Sequence, residues 1–111
     1  MNTCTDVTFL PKVLICEDET VLRELISEAL ESEGFTVIAL PSADSGWTYL
    51  KHHAGEISLL LSDVCMPGRL DGADLARLVT EYWPDVGIVL SSGYTATTIP
   101  SPDKVAFLPK P

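Results

Sequence analysis

The sequence predicts one α/β domain built on a doubly wound parallel sheet, and two patterns support this prediction. Short runs in which every residue is apolar alternate along the chain with segments whose apolar residues recur at helical spacing. Strands that are apolar at every position are typical of parallel sheets, which are buried on both faces. At 111 residues the chain is long enough for one domain and too short for two.

The predicted strands lie at residues 13–16, 35–40, 57–62, 86–90 and 105–108. Helical patterns follow the first three: one at residues 20–33, one that Ser42 would cap, and one after Asp71 and Gly72. The inward residues of the third helix are predicted to be Leu75, Leu78, Val79 and Tyr82. Strands and helices of these lengths predict βαβ units with right-handed crossovers. Residues 1–11 are expected to be a flexible lead-in to a domain that spans residues 12–111.

Charge and cysteine content argue against several classes of protein. The chain carries 16 acidic and 7 basic residues, a net charge of −9, whereas nucleic-acid binding needs a basic surface. No apolar run is long enough to span a bilayer, and the N-terminus lacks a signal-peptide pattern, so we expect a cytoplasmic protein without a membrane partner. Cys4, Cys16 and Cys65 have no metal-type spacing, so neither a disulfide framework nor a zinc site is expected.

Polar residues end four of the predicted strands. Glu17 and Asp18 follow the first strand, Asp63 the third, Ser92 the fourth and Lys110 the fifth. The carboxyl ends of parallel strands meet at one edge of the sheet, so these side chains should converge there. Acids held close together repel one another unless a cation lies between them, and Mg²⁺ prefers oxygen ligands. A carboxylate beside Mg²⁺ can also attack a phosphoryl donor, with a nearby ammonium neutralising the transferred group.

Five segments, in this order, carry a resemblance to a known family: residues 13–19 (VLICEDE), 59–68 (LLLSDVCMPG), 71–72 (DG), 88–94 (IVLSSGY) and 107–111 (FLPKP). They resemble the strand ends and loops of bacterial response-regulator receiver domains, and the resemblance covers about residues 12–111. It implies a flavodoxin-like sheet of five strands in the order 2-1-3-4-5, with Asp63 as the phospho-acceptor. The implied Mg²⁺ ligands are Asp18 directly, Glu17 through water, Asp63, and the backbone carbonyl of Cys65. The implied switch hydroxyl, phosphate-contacting amine and aromatic reporter of activation are Ser92, Lys110 and Phe107.

The resemblance further implies a phosphorelay function. The domain would take a phosphoryl group from the phosphohistidine of a histidine kinase or a histidine phosphotransfer protein. Phosphorylation would draw Ser92 toward the acyl phosphate and let Phe107 turn inward, which biases two pre-existing states. Such a domain is a switch that assists its own phosphorylation and dephosphorylation, rather than an enzyme.

Two departures from the family pattern bear on these expectations. Residues 93–104 contain four β-branched residues and two prolines, so the fourth helix is expected to be short or irregular. The chain stops at Pro111, where the family's last helix would begin, so that helix is expected to be absent. One face of the sheet would then be partly uncovered. Either the sequence is a piece of a longer chain, or a homodimer or a swapped element covers that face.

Three other classes of protein are alternatives to the receiver prediction. An aspartyl phosphatase would need a second acid two residues beyond Asp63, where Cys65 stands. An FMN-binding domain would need a phosphate-cradling loop after the first strand, where residues 17–19 are all acidic. A pseudo-receiver, an interaction module that is not phosphorylated, stays open: the absent last helix supports it, and the complete acid, serine and lysine set opposes it.

Overall fold

The computed structural model describes residues 11–92 and 105–109, with Ser92 and the second range described by backbone alone. The strands are β1 (Lys12–Cys16), β2 (Thr36–Leu40), β3 (Leu59–Asp63), β4 (Gly87–Ser92) and β5 (Val105–Pro109). The helices are α1 (Thr20–Ser32), α2 (Ala43–His53) and α3 (Gly72–Tyr82), and a 3₁₀ turn at Ala54–Glu56 follows α2. All the strand pairs are parallel, in the order β2-β1-β3-β4-β5. The predicted parallel α/β class is therefore confirmed.

The main core lies between the sheet and helices α2 and α3. Leu14 and Cys16 of β1 face this side, and both are completely buried. They meet Leu50 of α2 and Leu75 of α3, which are 1% and 0% exposed. Burial raises the pKa of the Cys16 thiol to about 12. At neutral pH this thiol is protonated and packs as a small apolar group, as its place in an apolar strand predicted.

Helices α2 and α3 begin at side-chain caps. The Ser42 hydroxyl accepts a hydrogen bond from the Ser45 backbone N–H at 3.0 Å, so the predicted cap is confirmed. At α3, the Asp71 carboxylate accepts from the Asp74 N–H at 2.9 Å, and the Asp74 carboxylate accepts from the Asp71 N–H at 3.1 Å. This reciprocal pair satisfies backbone donors that the helix itself cannot use, and it holds the start of α3 in place.

The structure corrects one predicted core residue. Tyr82 was expected to face inward from α3, but it is 57% exposed. The buried stripe of α3 instead contains small residues, Gly72, Ala73 and Ala76, together with Leu75 and Val79. In the last turn of α3, Tyr82 lies outside this buried stripe. The centroid of its ring is 6.1 Å from the ring centroid of Trp47. Trp47 and Trp83 are partly buried against the core.

Several predictions concern residues outside the described ranges. These are the fourth helix at 93–104, the side chain of Lys110, and the lead-in apart from Pro11. The Pro11 carbonyl accepts a hydrogen bond from the Thr36 N–H at 3.1 Å. No helix among the described residues is long and apolar enough to cross a membrane.

Candidate functional site

Strand register brings the polar strand ends together. Cys16 of β1 is the register partner of Ser62 of β3. Glu17 and Asp63 are the next residues after these two partners, so they follow the same register pair on neighbouring strands. Asp63 is itself the partner of Ser91 on β4. The backbone of Ser92 therefore lies one residue beyond the partner of Asp63. On the far side, Ser92 pairs with Pro109, the last residue of β5, and Lys110 follows outside the described residues.

Three carboxylates form a compact cluster at this edge. One oxygen each from Glu17, Asp18 and Asp63 lies within 4.8 Å of the others, a spacing at which one cation can contact all three. Glu17 is 2% exposed and Asp63 is 6% exposed, while Asp18 faces solvent. In the part of the chain that the structure describes, this is the one group of His, Cys, Asp or Glu side chains with such geometry. Carboxylate oxygens are ligands that Mg²⁺ prefers, so this set of donors suits that ion.

Glu17 is held by the turn between β1 and α1. Its side chain accepts a hydrogen bond from the Glu19 N–H at 3.1 Å, and its N–H donates to the Leu40 carbonyl at 3.0 Å. The Arg23 guanidinium donates to the Glu17 carbonyl oxygen at 2.8 Å. Arg23 thus ties the first turn of α1 to the acidic strand end. Sequence reasoning missed this contact, because a helical arginine six residues away carries no signal that its partner is a backbone carbonyl.

Asp63 is held by the backbone on both sides. The Val64 N–H donates to the Ser91 carbonyl at 2.9 Å, and the Gly72 N–H donates to the Val64 carbonyl at 2.8 Å. The Ser62 hydroxyl donates to the Asp63 carbonyl oxygen at 3.0 Å. Gly72 lies so close to the strand end that an added Cβ would be 1.8 Å from the Asp63 carbonyl oxygen. The start of α3 can approach the end of β3 only because residue 72 has no side chain.

The remaining predicted site residues are placed as follows. Cys65 is exposed and its thiol is free, in the loop that leaves Asp63. The next residue, Met66, is buried in the core. Phe107 lies on β5 opposite Leu90 of β4, and its side chain is outside what the structure describes. The structure thus brings the three predicted acids together, and the roles of all the predicted site residues stay predictions.

Comparison with known proteins agrees with this fold. The model of the family described as "Response regulator receiver domain" matches residues 13–107. This match covers most of the chain, and the chain belongs to that family, the receiver domains of two-component signalling.

Individual relatives show the extent of the similarity. It is 34% identical over 97 residues to the response regulator receiver protein CpdR of Brucella abortus (strain 2308), covering 87% of this chain and 78% of CpdR. It is 35% identical over 111 residues to the sensor kinase CckA of the same organism, covering 96% of this chain but 12% of CckA. The solved receiver domain of the hybrid histidine kinase CckA superposes with a TM-score of 0.76 at 32% identity, covering 90% of this chain and 85% of that domain.

Proposed function

We propose that this receiver domain is a phospho-acceptor that takes a phosphoryl group on Asp63 in a Mg²⁺-dependent reaction. The observation that carries the proposal is the packing of Glu17, Asp18 and Asp63 within 4.8 Å, with two of the three acids buried. An arrangement that concentrates negative charge in a buried place is costly unless a cation or a proton neutralises it. An acid cluster on the ligand-binding edge of a parallel sheet is best explained by a cation that belongs to the function.

The proposed Mg²⁺ ligands are the carboxylates of Asp18 and Asp63, the Glu17 carboxylate through water, and the Cys65 backbone carbonyl. When bound, Mg²⁺ would neutralise charge on the phosphoryl group and orient it toward the acceptor. An Asp63 carboxylate oxygen would attack phosphorus in line with the leaving group and form an acyl phosphate. The P–N bond of the donor phosphohistidine would break, and its electron pair would return to the imidazole nitrogen.

The proposed switch residues lie on β4 and β5 or directly after β5. Ser92 would hydrogen-bond a phosphoryl oxygen of modified Asp63, and its backbone lies on the strand next to the acceptor. Lys110, one residue past the end of β5, would contact the same group through its ammonium. Phe107 would change rotamer with activation. The domain would therefore assist its own phosphorylation and dephosphorylation while acting as a switch.

The proposed partner is a histidine kinase or a histidine phosphotransfer protein in the cytoplasm. The similarity to a sensor kinase and to a receiver protein supports this class of donor. The net charge of −9 disfavours direct contact with nucleic acid. A homodimer that covers part of the sheet remains a prediction from the sequence.

Intact mass after incubation with acetyl phosphate tests the proposal most directly. The wild-type chain should gain one phosphoryl group in the presence of Mg²⁺ and none with a chelator. Asp63→Asn should gain none under either condition. Asp85→Asn is the matched control, because Asp85 is an exposed acid that precedes β4, at the opposite edge of the parallel sheet.

Folding of each variant is checked by circular dichroism before the mass is read. Loss of the mass gain in Asp63→Asn alone would establish the acceptor, and Asp18→Asn should then need more Mg²⁺ for the same rate. A folded wild-type chain that gains no mass would instead favour the interaction module that is not phosphorylated.

A further inference from the structure

The loop that follows Asp63 is held by hydrogen bonds to a side chain of helix α2. Asp44 lies in the first turn of α2 and is partly buried. One of its carboxylate oxygens accepts a hydrogen bond from the Arg69 N–H, and the other accepts from the Leu70 N–H, both at 2.9 Å. The two partners are 25 and 26 residues away in sequence, so this contact is tertiary. Both oxygens of one carboxylate are used on two consecutive amides.

Gly68 fits this contact in two ways. Its φ of +123° is a conformation that side chains disfavour. A Cβ built on it would also lie 2.5 Å from the Asp44 carboxylate oxygen that accepts from Arg69. A glycine at position 68 therefore serves both the conformation of the turn and the close approach of the Asp44 carboxylate. This fit distinguishes the contact from that of an exposed acid that merely lies near a loop.

The loop that Asp44 holds joins Asp63 to the start of α3. It begins at Asp63, where the Val64 N–H is bound to β4, and it ends at the Asp71 cap of α3. Between these anchors, Asp44 provides the hydrogen bonds that hold residues 69 and 70. Cys65, whose carbonyl is a proposed Mg²⁺ ligand, lies between the first anchor and the Asp44 contact. The position of that carbonyl depends on the path of this loop.

We propose that Asp44 is a positioning residue for the acceptor site, which it serves by holding the 64–70 loop in one conformation. The proposal rests on the proposed function. Without the Asp44 carboxylate, the Arg69 and Leu70 amides would turn to water, and the loop would sample more conformations. A ligand oxygen supplied by a mobile loop binds a cation less well, since part of the binding energy then orders the loop. Loss of groups that orient metal ligands commonly lowers metal affinity by about 10–100-fold, and we expect roughly tenfold here because Asp44 acts on the backbone.

Three substitutions of Asp44 separate this role from a simple effect on helix α2. Asp44→Ala removes both hydrogen bonds. Asp44→Asn keeps the shape but presents an NH₂ group to one of the two amides. Asp44→Glu keeps a negative charge in the first helical turn, where the macrodipole favours it, but displaces the carboxylate by one methylene. A role confined to the helix end predicts that Asp44→Glu behaves like the wild type.

Ser42→Ala is the matched control. It removes the cap of the same helix and leaves the Asp44 contacts to the loop untouched. The measurements are the Mg²⁺ dissociation constant by titration of tryptophan fluorescence, the rate of phosphorylation by acetyl phosphate at saturating Mg²⁺, and amide hydrogen exchange at Arg69 and Leu70. All are made under conditions where every variant is folded.

We expect all three Asp44 variants to exchange Arg69 and Leu70 amides faster and to bind Mg²⁺ roughly tenfold more weakly, while Ser42→Ala matches the wild type in both. Wild-type affinity and exchange in Asp44→Glu, or equal losses in Asp44→Asn and Ser42→Ala, would overturn the proposal.

Asp63→Asn and the wild type are run in parallel. If the wild type takes no phosphoryl group and binds no Mg²⁺, the proposed function fails and the positioning role fails with it. A wild type that is phosphorylated, beside Asp44 variants that match it, overturns the positioning role alone.

Discussion

Helices α1 and α2 lie on opposite faces of the sheet, and the helices of the two sides are buried to very different extents. The chain passes from β1 to β2 in one direction and from β2 to β3 in the other, so right-handed crossovers place α1 and α2 on opposite sides. Helix α2 buries Ala43, Gly46 and Leu50, and α3 buries five residues beside it. Helix α1, which the structure describes in full, buries none. Its Val21 is 70% exposed and its Leu25 is 59% exposed.

This difference separates what an amphipathic pattern shows from what it does not. The apolar residues of α1 and α3 both recur at helical spacing, and both segments are helices. Burial, however, needs a second surface, and α2 and α3 provide part of each other's cover: Gly46 of α2 lets Leu75 of α3 approach, since an added Cβ would be 3.3 Å from that side chain. The stability of the domain should therefore reside mostly on the α2–α3 side.

The largest effect is expected for Gly72→Ala. An added Cβ would overlap the Asp63 carbonyl oxygen at 1.8 Å, and both atoms belong to or adjoin rigid backbone. We expect a loss of about 3 kcal/mol or more in the free energy of unfolding, at the upper end for overpacking. Urea denaturation followed by tryptophan fluorescence measures it.

Gly55→Ala is the control for this substitution. Gly55 has open space around its Cβ direction and no left-handed φ, so the change should be near zero or slightly stabilising. Equal stabilities for the two variants would mean that α3 does not approach the end of β3 as closely as described.

The next effect is expected for Leu75→Ala, at the centre of the covered side. Leu75 is 0% exposed and belongs to the main core with Leu14 and Leu50. Its removal should cost about 2–5 kcal/mol, the range for buried leucines, because a cavity would remain between α2 and α3. The urea midpoint should fall while the slope of the transition stays constant. A loss below about 1 kcal/mol would show that the core relaxes around the gap.

The same features differ in how well the sequence alone predicts them. Apolar strand runs, the Ser42 cap and the Asp71–Gly72 start of α3 are local signals, and the structure agrees with them. The convergence of Glu17, Asp18 and Asp63 followed from parallel topology, which places strand ends on one edge. Burial of individual side chains, such as Tyr82, did not follow, because it depends on how far each helix turns toward its neighbours. The Asp44 contact also could not be predicted, since no spacing rule links a helix start to amides 25 residues later.

A smaller effect is expected at the cap of α3. Asp71→Ala removes the acceptor for the Asp74 N–H and should cost about 1 kcal/mol, as is typical of N-cap residues. Thermal and urea unfolding of Asp71→Ala measure this loss. Asp85→Ala, at an exposed acid outside any cap, should change stability by less than about 0.5 kcal/mol.

The same cap predicts a pH dependence. The hydrogen bond from the Asp71 backbone N–H, followed by the one from Arg77, lowers the pKa of Asp74. Since the folded-state pKa lies below the ordinary value of 3.8, the stabilisation is fully present above that value and is lost as the pH falls through the folded-state pKa. The stability difference between wild type and Asp74→Asn should therefore be constant from neutral pH to about pH 5 and shrink below the ordinary pKa. A difference that grew on acidification would contradict this assignment.

The smallest effect is expected for Leu25→Ala on the opposite side. The side chain is already 59% exposed, so truncation removes little buried area and should change stability by less than about 0.5 kcal/mol. Alanine is at least as good a helix former as leucine, so the change in helix propensity also has little effect on stability.

The informative control is to repeat the measurement over a wide range of protein concentration. If a second copy of the chain covers α1, the wild type will gain stability with concentration and Leu25→Ala will lose that gain. A loss comparable to that of Leu75→Ala at every concentration would instead mean that α1 is covered within the chain, and the contrast between the two faces would no longer hold.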